Sequence, residues 1–551
     1  MKKKYFFIWL TFCISYLSAY SQISEGGVPP SFNHISTLRS TSPVYSAQVD
    51  LDVDRLIWED SIMKRNGNVP RIAVDVPVDI NIRNTGKWSV LPDSIRIWQQ
   101  TVTAQNARGM IISYEDFYIP KGGKLFIYNE KKTHILGAYT NETHPEGGGF
   151  ATEPISGDTF TFEYVASEIS EEEPRLVVKE VGYIYGTGHC YGLEVCTPDL
   201  NSSFSCHVNV NCPTGYPWQN QKRGVVLLLI KNYRAWSGCS GSLVNNTAVD
   251  GKPYVLTASH CFDMAVDVQF DKSIVCFNYE FNSCENQTVA PDYKSLVGIK
   301  KLVHNSRFGG SDTYLFQINK NVPEEWHPYY NGWDRSNNAS ESGVVIHHPD
   351  VDVKKLALYD KTITSTTYSE SKGEGAKNAY WRVVYNGVGV TEGGSSGSPL
   401  FNKDGYIIGT LTAGASTCST MYSPDVYGKI WYAWDQHSSD ILKPYLDPLN
   451  TGVERLAAYD PSPISGIEDE NGYDFKELVL YPSPAENELN VNTSSIIRSI
   501  KVYDLQGVQV FSNFGYNSST AQIPLNGLGK GVYTITVQTE NKKLTDKFLK
   551  K

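Results

Sequence analysis

Ser396 lies in a stretch that has the composition of a linker but is followed by residues typical of β-structure. The stretch is TEGGSSGSPLF, Thr391 to Phe401, and its Gly-Gly-Ser-Ser-Gly-Ser core has the composition of a flexible linker. The residues that follow, PLFNKDGYIIGTLTAG, are instead typical of a β-hairpin, with two apolar runs around an Asn-Lys-Asp-Gly turn. A turn set into β-structure can present a serine for nucleophilic attack. Its hydroxyl is inert at neutral pH, however, without a base and a carboxylate that orients the base.

Two upstream stretches supply those residue types. In YVLTASHCF an apolar strand ends near His260, and the cysteine beside it can fix its position. In GGSDTYLFQIN, Asp312 directly precedes another apolar strand. The order His260, Asp312, Ser396 is that of the two-barrel serine proteases. Each piece alone also fits an ordinary role, as a core histidine beside a disulfide, a turn aspartate or a linker. Their combination favours a catalytic triad.

The N-terminus predicts that the protein is exported. MKKKYFFIWLTFCISYLSAYSQ begins with lysines, continues with an apolar run and ends in small residues, which predicts a signal peptide over residues 1–21. A membrane anchor is the alternative, but this run is short. No later stretch is apolar for the ~18 residues that a transmembrane segment needs. The formal net charge of −10 gives no basic footprint for nucleic acid.

The cysteines predict disulfides in one part of the chain. Nine of the ten follow the signal peptide, and all nine lie between residues 190 and 418. In an exported protein this clustering favours cross-links within a single domain. A zinc site is the alternative, but no CxxC pair occurs. We therefore expect neither a metal nor a cofactor.

Composition divides the mature chain into four segments. Residues 22–198 contain many short alternating runs, which predict a β-rich region, and end in an acidic, Pro-containing stretch. Residues 199–448 hold the triad candidates. Residues 449–470 are rich in Pro, Gly, Asn and Asp and indicate a linker, and residues 471–551 show three alternating stretches that predict a small β-sandwich.

Residues 204–434 resemble the bacterial lysyl endopeptidases, a branch of the chymotrypsin-like serine proteases. The matching stretches are SCHVNVNC, CSGSLVNN, YVLTASHC, FNYEFNSC, DTYLFQI, IHHP, GVTEGGSSGSP and SPDVYGKI. The resemblance implies two six-stranded β-barrels with the active site in the cleft between them. It also implies three disulfides, Cys206–Cys418, Cys212–Cys284 and Cys239–Cys261.

Three cysteines and a pair of adjacent histidines remain to be interpreted. The pairing of Cys190, Cys196 and Cys276 stays open, and a local Cys190–Cys196 bridge would leave Cys276 odd. His347 and His348, next to Asp350 and Asp352, suggest a metal cluster, but the resemblance assigns the two histidines to the family's HHP loop.

The chemistry of acyl transfer gives each triad residue a role. Ser396 would attack the peptide carbonyl, His260 would take and return the proton, and Asp312 would fix the imidazole tautomer. The backbone N–H groups of Gly394 and Ser396 would form the oxyanion hole.

Substrate preference depends on a pocket that differs from that of trypsin. The position of trypsin's pocket carboxylate, six residues before Ser396, holds Val390. The resemblance implies Asp425 as the carboxylate instead, and a turn aspartate is the alternative. Gly414 would bond the extended substrate backbone. Thr412 and Tyr368 replace a histidine and a tryptophan that stack in the family. Whether the pocket discriminates Lys from Arg is therefore open. Glutamyl specificity is disfavoured because it would require a histidine where Thr412 stands.

Activation cannot follow the animal enzymes, because residue 395 is Ser where those enzymes have an Asp that captures the new N-terminus. We expect residues 22–198 to be a pro-region that restrains the enzyme or assists its folding and is then removed. Arg175 and Lys179 are candidate processing sites.

The last segment resembles the C-terminal sorting domain of type IX secretion cargo in Bacteroidetes. The stretches are LYPSPAENELNV, IKVYDLQGVQV, GLGKGVYTITVQT and the basic KFLKK, with Ser483-Pro484 in place of Asn-Pro. The resemblance implies the type IX machinery as a partner and a route through the periplasm to the outer-membrane surface or the medium. A carbohydrate-binding sandwich is the alternative, but no aromatic row suggests a sugar platform.

The sequence thus predicts an all-β, chymotrypsin-like protease with a β-rich pro-region and an Ig-like tail. We expect it to cleave protein or peptide substrates after basic residues, foremost Lys. The alternatives are a trypsin-like enzyme that accepts Lys and Arg, and a catalytically silent surface adhesin on a protease scaffold.

Overall fold

The structure is a computed structural model of the chain. It describes residues 22–551 except 35–41, 66–67, 93, 187–199, 264–268, 438, 463–477, 482–484, 486, 505–507 and 541. The predicted signal peptide, Cys190, Cys196, Ser483-Pro484 and part of the predicted linker therefore lie outside the described residues.

The N-terminal region, residues 22–186, consists of β-strands and one longer helix. Its elements are a 3-10 helix (Pro30–His34), α1 (Val53–Arg65), β1 (Val44–Ser46), β2 (Arg71–Asn81), β3 (Lys87–Val90), β4 (Arg96–Thr103), β5 (Gly109–Tyr118), β6 (Lys124–Asn129), β7 (Ile135–Tyr139), β8 (Phe150–Ala151), β9 (Ile155–Ser156), β10 (Thr159–Val165) and β11 (Arg175–Ile184).

Two β-layers enclose the core of this region. One sheet has the order β1-β4-β10-β6-β7, with β3 on β4, and β2, β11 and β5 form the facing layer. Val76, Val78 and Ile80 of β2 alternate into a core that also contains Trp98 and Phe162, as expected for strands with one buried face.

The central region begins with a short strand and a closed β-barrel. The elements are β12 (Val208–Asn209), a 3-10 helix (Pro213–Trp218), α2 (Gln219–Lys222), β13 (Val225–Lys231), β14 (Ala235–Leu243), β15 (Tyr254–Ala258), α3 (His260–Asp263), β16 (Ile274–Phe277), β17 (Lys294–Val297), β18 (Ile299–Asn305) and β19 (Thr313–Ile318). The pairing order is β17-β16-β13-β14-β15-β19-β18. Gly298, with φ +88°, separates β17 from β18 and lets one continuous strand change partners.

A second barrel follows directly. Its elements are a 3-10 helix (Glu324–Trp326), β20 (Trp333–Asp334), β21 (Gly343–His347), a 3-10 helix (Pro349–Val351), β22 (Lys355–Tyr359), β23 (Thr364–Thr366), β24 (Ser369–Glu370), β25 (Gly373–Glu374), β26 (Tyr380–Val383), β27 (Pro399–Asn402), β28 (Ile407–Gly414), β29 (Asp425–Lys429), α4 (Ile430–Asp435), α5 (Lys443–Leu446) and β30 (Arg455–Leu456). The order β22-β21-β27-β28-β29-β26 closes where Leu358 bonds the backbone of Asn386 and Val388. The expected double-barrel fold is confirmed.

Three disulfides join the pairs that the resemblance implies, Cys206–Cys418, Cys212–Cys284 and Cys239–Cys261. Cys276 is buried and unbonded. The Cys239–Cys261 bridge ties β14 to the residue that follows His260.

The N-terminal region and the first barrel share one sheet. β2 pairs antiparallel with the start of β14, where Ala235 faces Val74 and Ser237 faces Arg71. The ammonium of Lys231 crosses the same boundary, with its Nζ 2.6 Å from Asp75 and 2.9 Å from Glu180. Lys231 is fully buried. Burial raises the pKa of Asp75 to about 6, against the attraction of Lys231.

The chain after residue 448 continues to pack on the second barrel. β30 pairs with β20, and Arg223 forms an ion pair with Asp460. Residues 455–460 of the predicted linker are therefore fixed.

The C-terminal strands are β31 (Leu478–Tyr481), β32 (Glu488–Tyr503), β33 (Gln509–Pro524), β34 (Gly531–Thr539) and β35 (Lys543–Lys550). They form one sheet around a separate apolar core.

Among the helices that the structure describes, none is long and apolar enough to cross a membrane.

We predict that the Lys231 ammonium holds the two regions together. Lys231→Met leaves the buried Asp75 carboxylate and the partly exposed Glu180 carboxylate without this cation and should lower the free energy of unfolding by about 3 kcal/mol. The measurement is urea unfolding in a Ser396→Ala background, which removes the nucleophile predicted from the sequence. Lys179→Met is the matched control, because the Lys179–Asp79 pair is exposed and should be worth less than about 0.5 kcal/mol. Equal effects of the two changes would contradict the prediction.

Candidate active site

Asp312 and His260 meet at the open end of the first barrel. Asp312 is fully buried just before β19, with φ 55°. Its Oδ2 lies 2.7 Å from His260 Nδ1, and its Oδ1 accepts hydrogen bonds from the His260 backbone N–H (2.9 Å) and Ser259 Oγ (2.8 Å). Burial alone would raise the pKa of Asp312, but His260 and these donors hold it below its ordinary value. The carboxylate therefore stays ionised at neutral pH.

Ser396 reaches His260 from the second barrel. It lies in the turn before β27, and its Oγ is 2.8 Å from His260 Nε2. A proton on Nδ1, bonded to Asp312, leaves Nε2 as the acceptor for the serine hydroxyl. The three residues predicted from sequence are thus joined in one hydrogen-bonded chain, Asp312–His260–Ser396.

The turn around Ser396 requires glycine at two positions. Gly394 has φ +88° and Gly397 has φ +79°, a region that residues with a Cβ rarely adopt. A Cβ at Gly394 would lie 2.8 Å from the His348 carbonyl oxygen, and one at Gly397 would lie 2.0 Å from Thr257 Oγ1. Ser240 fixes the turn from the first barrel, since its Oγ donates to the Gly394 carbonyl at 2.9 Å.

This conformation leaves two N–H groups of the turn available. In the described part of the chain no acceptor takes the backbone N–H of Gly394 or of Ser396. They are the two groups predicted to bind a developing oxyanion. Buried N–H groups without a partner are costly, so their presence beside a candidate nucleophile indicates a site kept free for a substrate oxygen.

The predicted pocket carboxylate, Asp425, is buried at the start of β29. It accepts hydrogen bonds from Thr391 Oγ1 (2.5 Å), from the Ser416 backbone N–H (3.0 Å) and from Ser416 Oγ (2.8 Å). Burial raises its pKa, and the three donors oppose that rise. Gly414 faces Asp425 in the β28–β29 ladder, and a Cβ at Gly414 would lie 2.8 Å from Asp425 Oδ1. The structure gives Asp425 no basic partner among the described residues.

Sequence reasoning missed Thr391, Ser416 and Tyr385, whose hydroxyl groups hydrogen-bond Asp425. Single hydroxyl residues carry no spacing signal, and Ser416 lies in a loop after β28. It also missed Ser240 and Ser259, which position the turn and the Asp312 carboxylate.

Thr412 and Tyr368 lie near the same strands without forming a stacked pair. Thr412 is buried, and its Oγ1 has no hydrogen-bond partner among the described residues. Tyr368 donates to Glu370 at 2.8 Å, and its ring centroid is 5.7 Å from that of Tyr380. Tyr368 packs in one apolar cluster with Ala413 and Val426, so an aromatic side chain flanks the predicted pocket.

His347 and His348 support the turn. His347 Nδ1 lies 2.7 Å from Ser395 Oγ, and His348 Nδ1 lies 2.9 Å from the Asp352 carbonyl oxygen. Burial lowers the pKa of both histidines, to about 3 for His348. Both rings are therefore neutral at physiological pH and act as hydrogen-bonding groups.

Two sequence-family models match parts of this chain. Residues 200–428 match the sequence-family model described as "Lysyl endopeptidase, C-terminal domain". Residues 479–551 match the "Secretion system C-terminal sorting domain". The chain thus carries a domain of the chymotrypsin-like serine protease class and a secretion-sorting tail, and the tail indicates a secreted or cell-surface protein.

Solved structures similar to this chain include three proteases. HL collagenase is 15% identical over 39% of this chain and 91% of that chain, with a TM-score of 0.28. The protease Anisep from Arthrobacter nicotinovorans is 15% identical over 38% and 91%, with a TM-score of 0.28. A Glu endopeptidase is 13% identical over 38% and 85%, with a TM-score of 0.26.

We predict that Ser396 is the reactive serine of residues 200–428, the part of the chain that matches the lysyl endopeptidase model. A fluorophosphonate probe should label Ser396 in the protein lacking its N-terminal region, because among the described residues this is the one hydroxyl bonded to a histidine that a carboxylate orients. Fragment-ion mass spectrometry of the labelled peptide separates Ser396 from the adjacent Ser395. Labelling should disappear in His260→Ala. A label on Ser395, or one that persists without His260, would contradict the assignment.

Proposed function

We propose that this protein is a secreted serine endopeptidase that hydrolyses peptide bonds after basic residues, foremost Lys, through an acyl-enzyme intermediate. The observation that supports it most is the hydrogen-bonded chain of Asp312, His260 and Ser396, in which each distance is 2.7 or 2.8 Å. This arrangement is the one that converts a serine hydroxyl into a nucleophile.

In the proposed mechanism, His260 Nε2 takes the Ser396 proton as Oγ attacks the carbonyl carbon. The imidazolium that forms is stabilised by the ionised Asp312 at Nδ1, and it then gives its proton to the leaving amine. Water repeats the two steps on the acyl-enzyme, and Ser396 is restored.

The backbone N–H groups of Gly394 and Ser396 stabilise the oxyanion of each tetrahedral intermediate. Neither group is engaged by an acceptor in the described residues, so no bond has to break before they act. One donor of this kind lowers the barrier by about 3 kcal/mol.

Preference for a basic residue rests on Asp425. Its carboxylate has hydroxyl and amide donors around it but no cation among the described residues. A lysyl ammonium can donate to this carboxylate and to the hydroxyl oxygens of Thr391 and Ser416, and a compact ammonium needs less room there than a planar guanidinium. Acceptance of Arg as well remains the second candidate, because the flanking residues are Thr412 and Tyr368.

A silent adhesin on the same scaffold is the alternative from another class. It has no need for a triad at bonding distance, for free N–H groups in the turn or for a buried pocket carboxylate. The presence of all three favours the enzyme.

We propose that a segment at each end of the chain directs its export. Residues 1–21 would direct the protein to the periplasm, and the sorting tail would engage the type IX machinery for passage to the surface. Residues 22–198 would act as a pro-region that is removed afterwards.

We predict cleavage after Lys when the processed protein digests a denatured substrate protein. Mass spectrometry of the new C-termini reads the preference directly, and Ser396→Ala should abolish every cut. Asp425→Asn should reduce kcat/KM at Lys sites by at least about thirtyfold, because a buried carboxylate no longer faces the ammonium. Cuts after both Lys and Arg would show the broader preference. A processed protein that cuts nothing would overturn the proposal and leave the adhesin.

A further inference from the structure

Residues 68–71 of the N-terminal region lie across one side of the candidate active site. The Asn68 carbonyl oxygen would be 2.8 Å from a Cβ built on Gly393, which precedes the oxyanion turn. Val69 is buried in the same apolar cluster as Cys239 and Cys261. The Pro70 carbonyl accepts a hydrogen bond of 3.1 Å from the Gly238 backbone N–H, and β2 then continues along β14.

This side of the cleft is the one that a leaving group would occupy. The predicted primary pocket is built from Thr391, Gly414 and Asp425 of the second barrel, whereas residues 68–71 run along β14 of the first. An extended peptide held by strand addition uses the same kind of backbone bond as the one from Gly238 to Pro70. The segment therefore lies where the half of a substrate after the scissile bond is expected.

The Lys64 ammonium, a few residues before this segment, forms ion pairs beside the catalytic turn. Lys64, in the last turn of α1, places its Nζ 2.6 Å from Asp350 Oδ2 and 3.0 Å from Glu392 Oε1. The Phe204 ring centroid lies 4.5 Å from the same Nζ. Burial alone would lower the pKa of Lys64, but the two carboxylates outweigh it and raise that pKa.

The two carboxylates are next to the catalytic turn and not merely on the surface. The side chains of Asp350 and Glu392 are 16% and 6% exposed. The Asp350 backbone N–H donates to the Gly393 carbonyl, and the Glu392 carbonyl accepts from the Ser395 N–H. Glu392 also faces His207 Nε2 at 3.2 Å. Val351, which follows Asp350, packs against Gly238, where the leaving half would bond.

We propose that Asp350 and Glu392 form a second specificity site, which binds a Lys or Arg side chain among the first three residues after the scissile bond. Lys64 occupies this site in the full-length chain, and removal of residues 22–198 vacates it for substrate. The proposal rests on the endopeptidase function given above. Both carboxylates lie within 3.0 Å of the same Lys64 Nζ, so in the vacated site they face each other as like charges, which makes that site selective for a basic group.

The test compares matched peptides with the processed enzyme. Each peptide carries one scissile bond after Lys; one of the first three positions after that bond holds either Lys or uncharged norleucine, and the other two hold Ala. The peptide bond after a test Lys is N-methylated, so that no cut occurs there. At the preferred position Lys should raise kcat/KM about tenfold over norleucine, the effect of one charge-assisted contact of roughly 1.4 kcal/mol.

Two variants locate the effect. Asp350→Asn and Glu392→Gln keep the side-chain shapes and should each bring the Lys-to-norleucine ratio towards one. Asp360→Asn removes an exposed carboxylate of the same domain and should keep the tenfold ratio. A ratio near one in the unmodified enzyme, or a ratio that Asp350→Asn leaves unchanged, would overturn the second site.

A binding measurement separates this proposal from the endopeptidase function. Processed Ser396→Ala protein should bind the Lys peptide more tightly than the norleucine peptide in fluorescence anisotropy, and Asp350→Asn should remove the difference. Selective binding with no cleavage by the unmodified protein would support the second site and overturn the enzyme. Cleavage of the norleucine peptide without any Lys preference in binding would do the reverse.

Discussion

The buried carboxylate of Asp312 is the constraint on which the catalytic arrangement depends. It is fully buried and ionised, so it must be surrounded by donors, and the structure supplies them from Ser259 and His260 at the end of β15. The β15–β19 pairing brings those donors and Asp312 to the same end of the barrel. Once the imidazole is oriented by this carboxylate, its other nitrogen can face only the turn of the second barrel, where Ser396 lies.

The same cleft explains how the N-terminal region attaches. The start of β14 would be an unpaired edge beside the active site, and such edges attract further strands. β2 fills the edge, Lys231 secures it with two carboxylates, and Lys64 reaches the acidic pair beside the oxyanion turn. The contacts that hold the N-terminal region are of the kinds that a bound peptide would use. Attachment of this region and access of substrate are therefore competing events in our account.

The sequence allowed β-rich domains and the triad candidates to be predicted from short, distinctive stretches, and the family resemblance supplied the double barrel and the disulfide pairs. The contacts of the N-terminal region could not be predicted in this way. Lys64 and Asp350 are 286 positions apart, and their types are ordinary on any surface. From the sequence, Asp350 was a candidate only for a metal ligand beside His347 and His348. Ser416, which holds Asp425, is likewise one loop hydroxyl among many, and the packing of residues 455–460 on the second barrel depends on tertiary pairing rather than composition.

The most direct test of the account is the turnover of Asp312→Asn, measured as kcat on a peptide with one Lys–Ala bond. The amide keeps the shape of the side chain but favours the wrong imidazole tautomer, so kcat should fall by about 10⁴-fold. KM should change little, because Asp312 does not touch the pocket. A variant that retains kcat within tenfold of the unmodified enzyme would contradict the central role of this carboxylate.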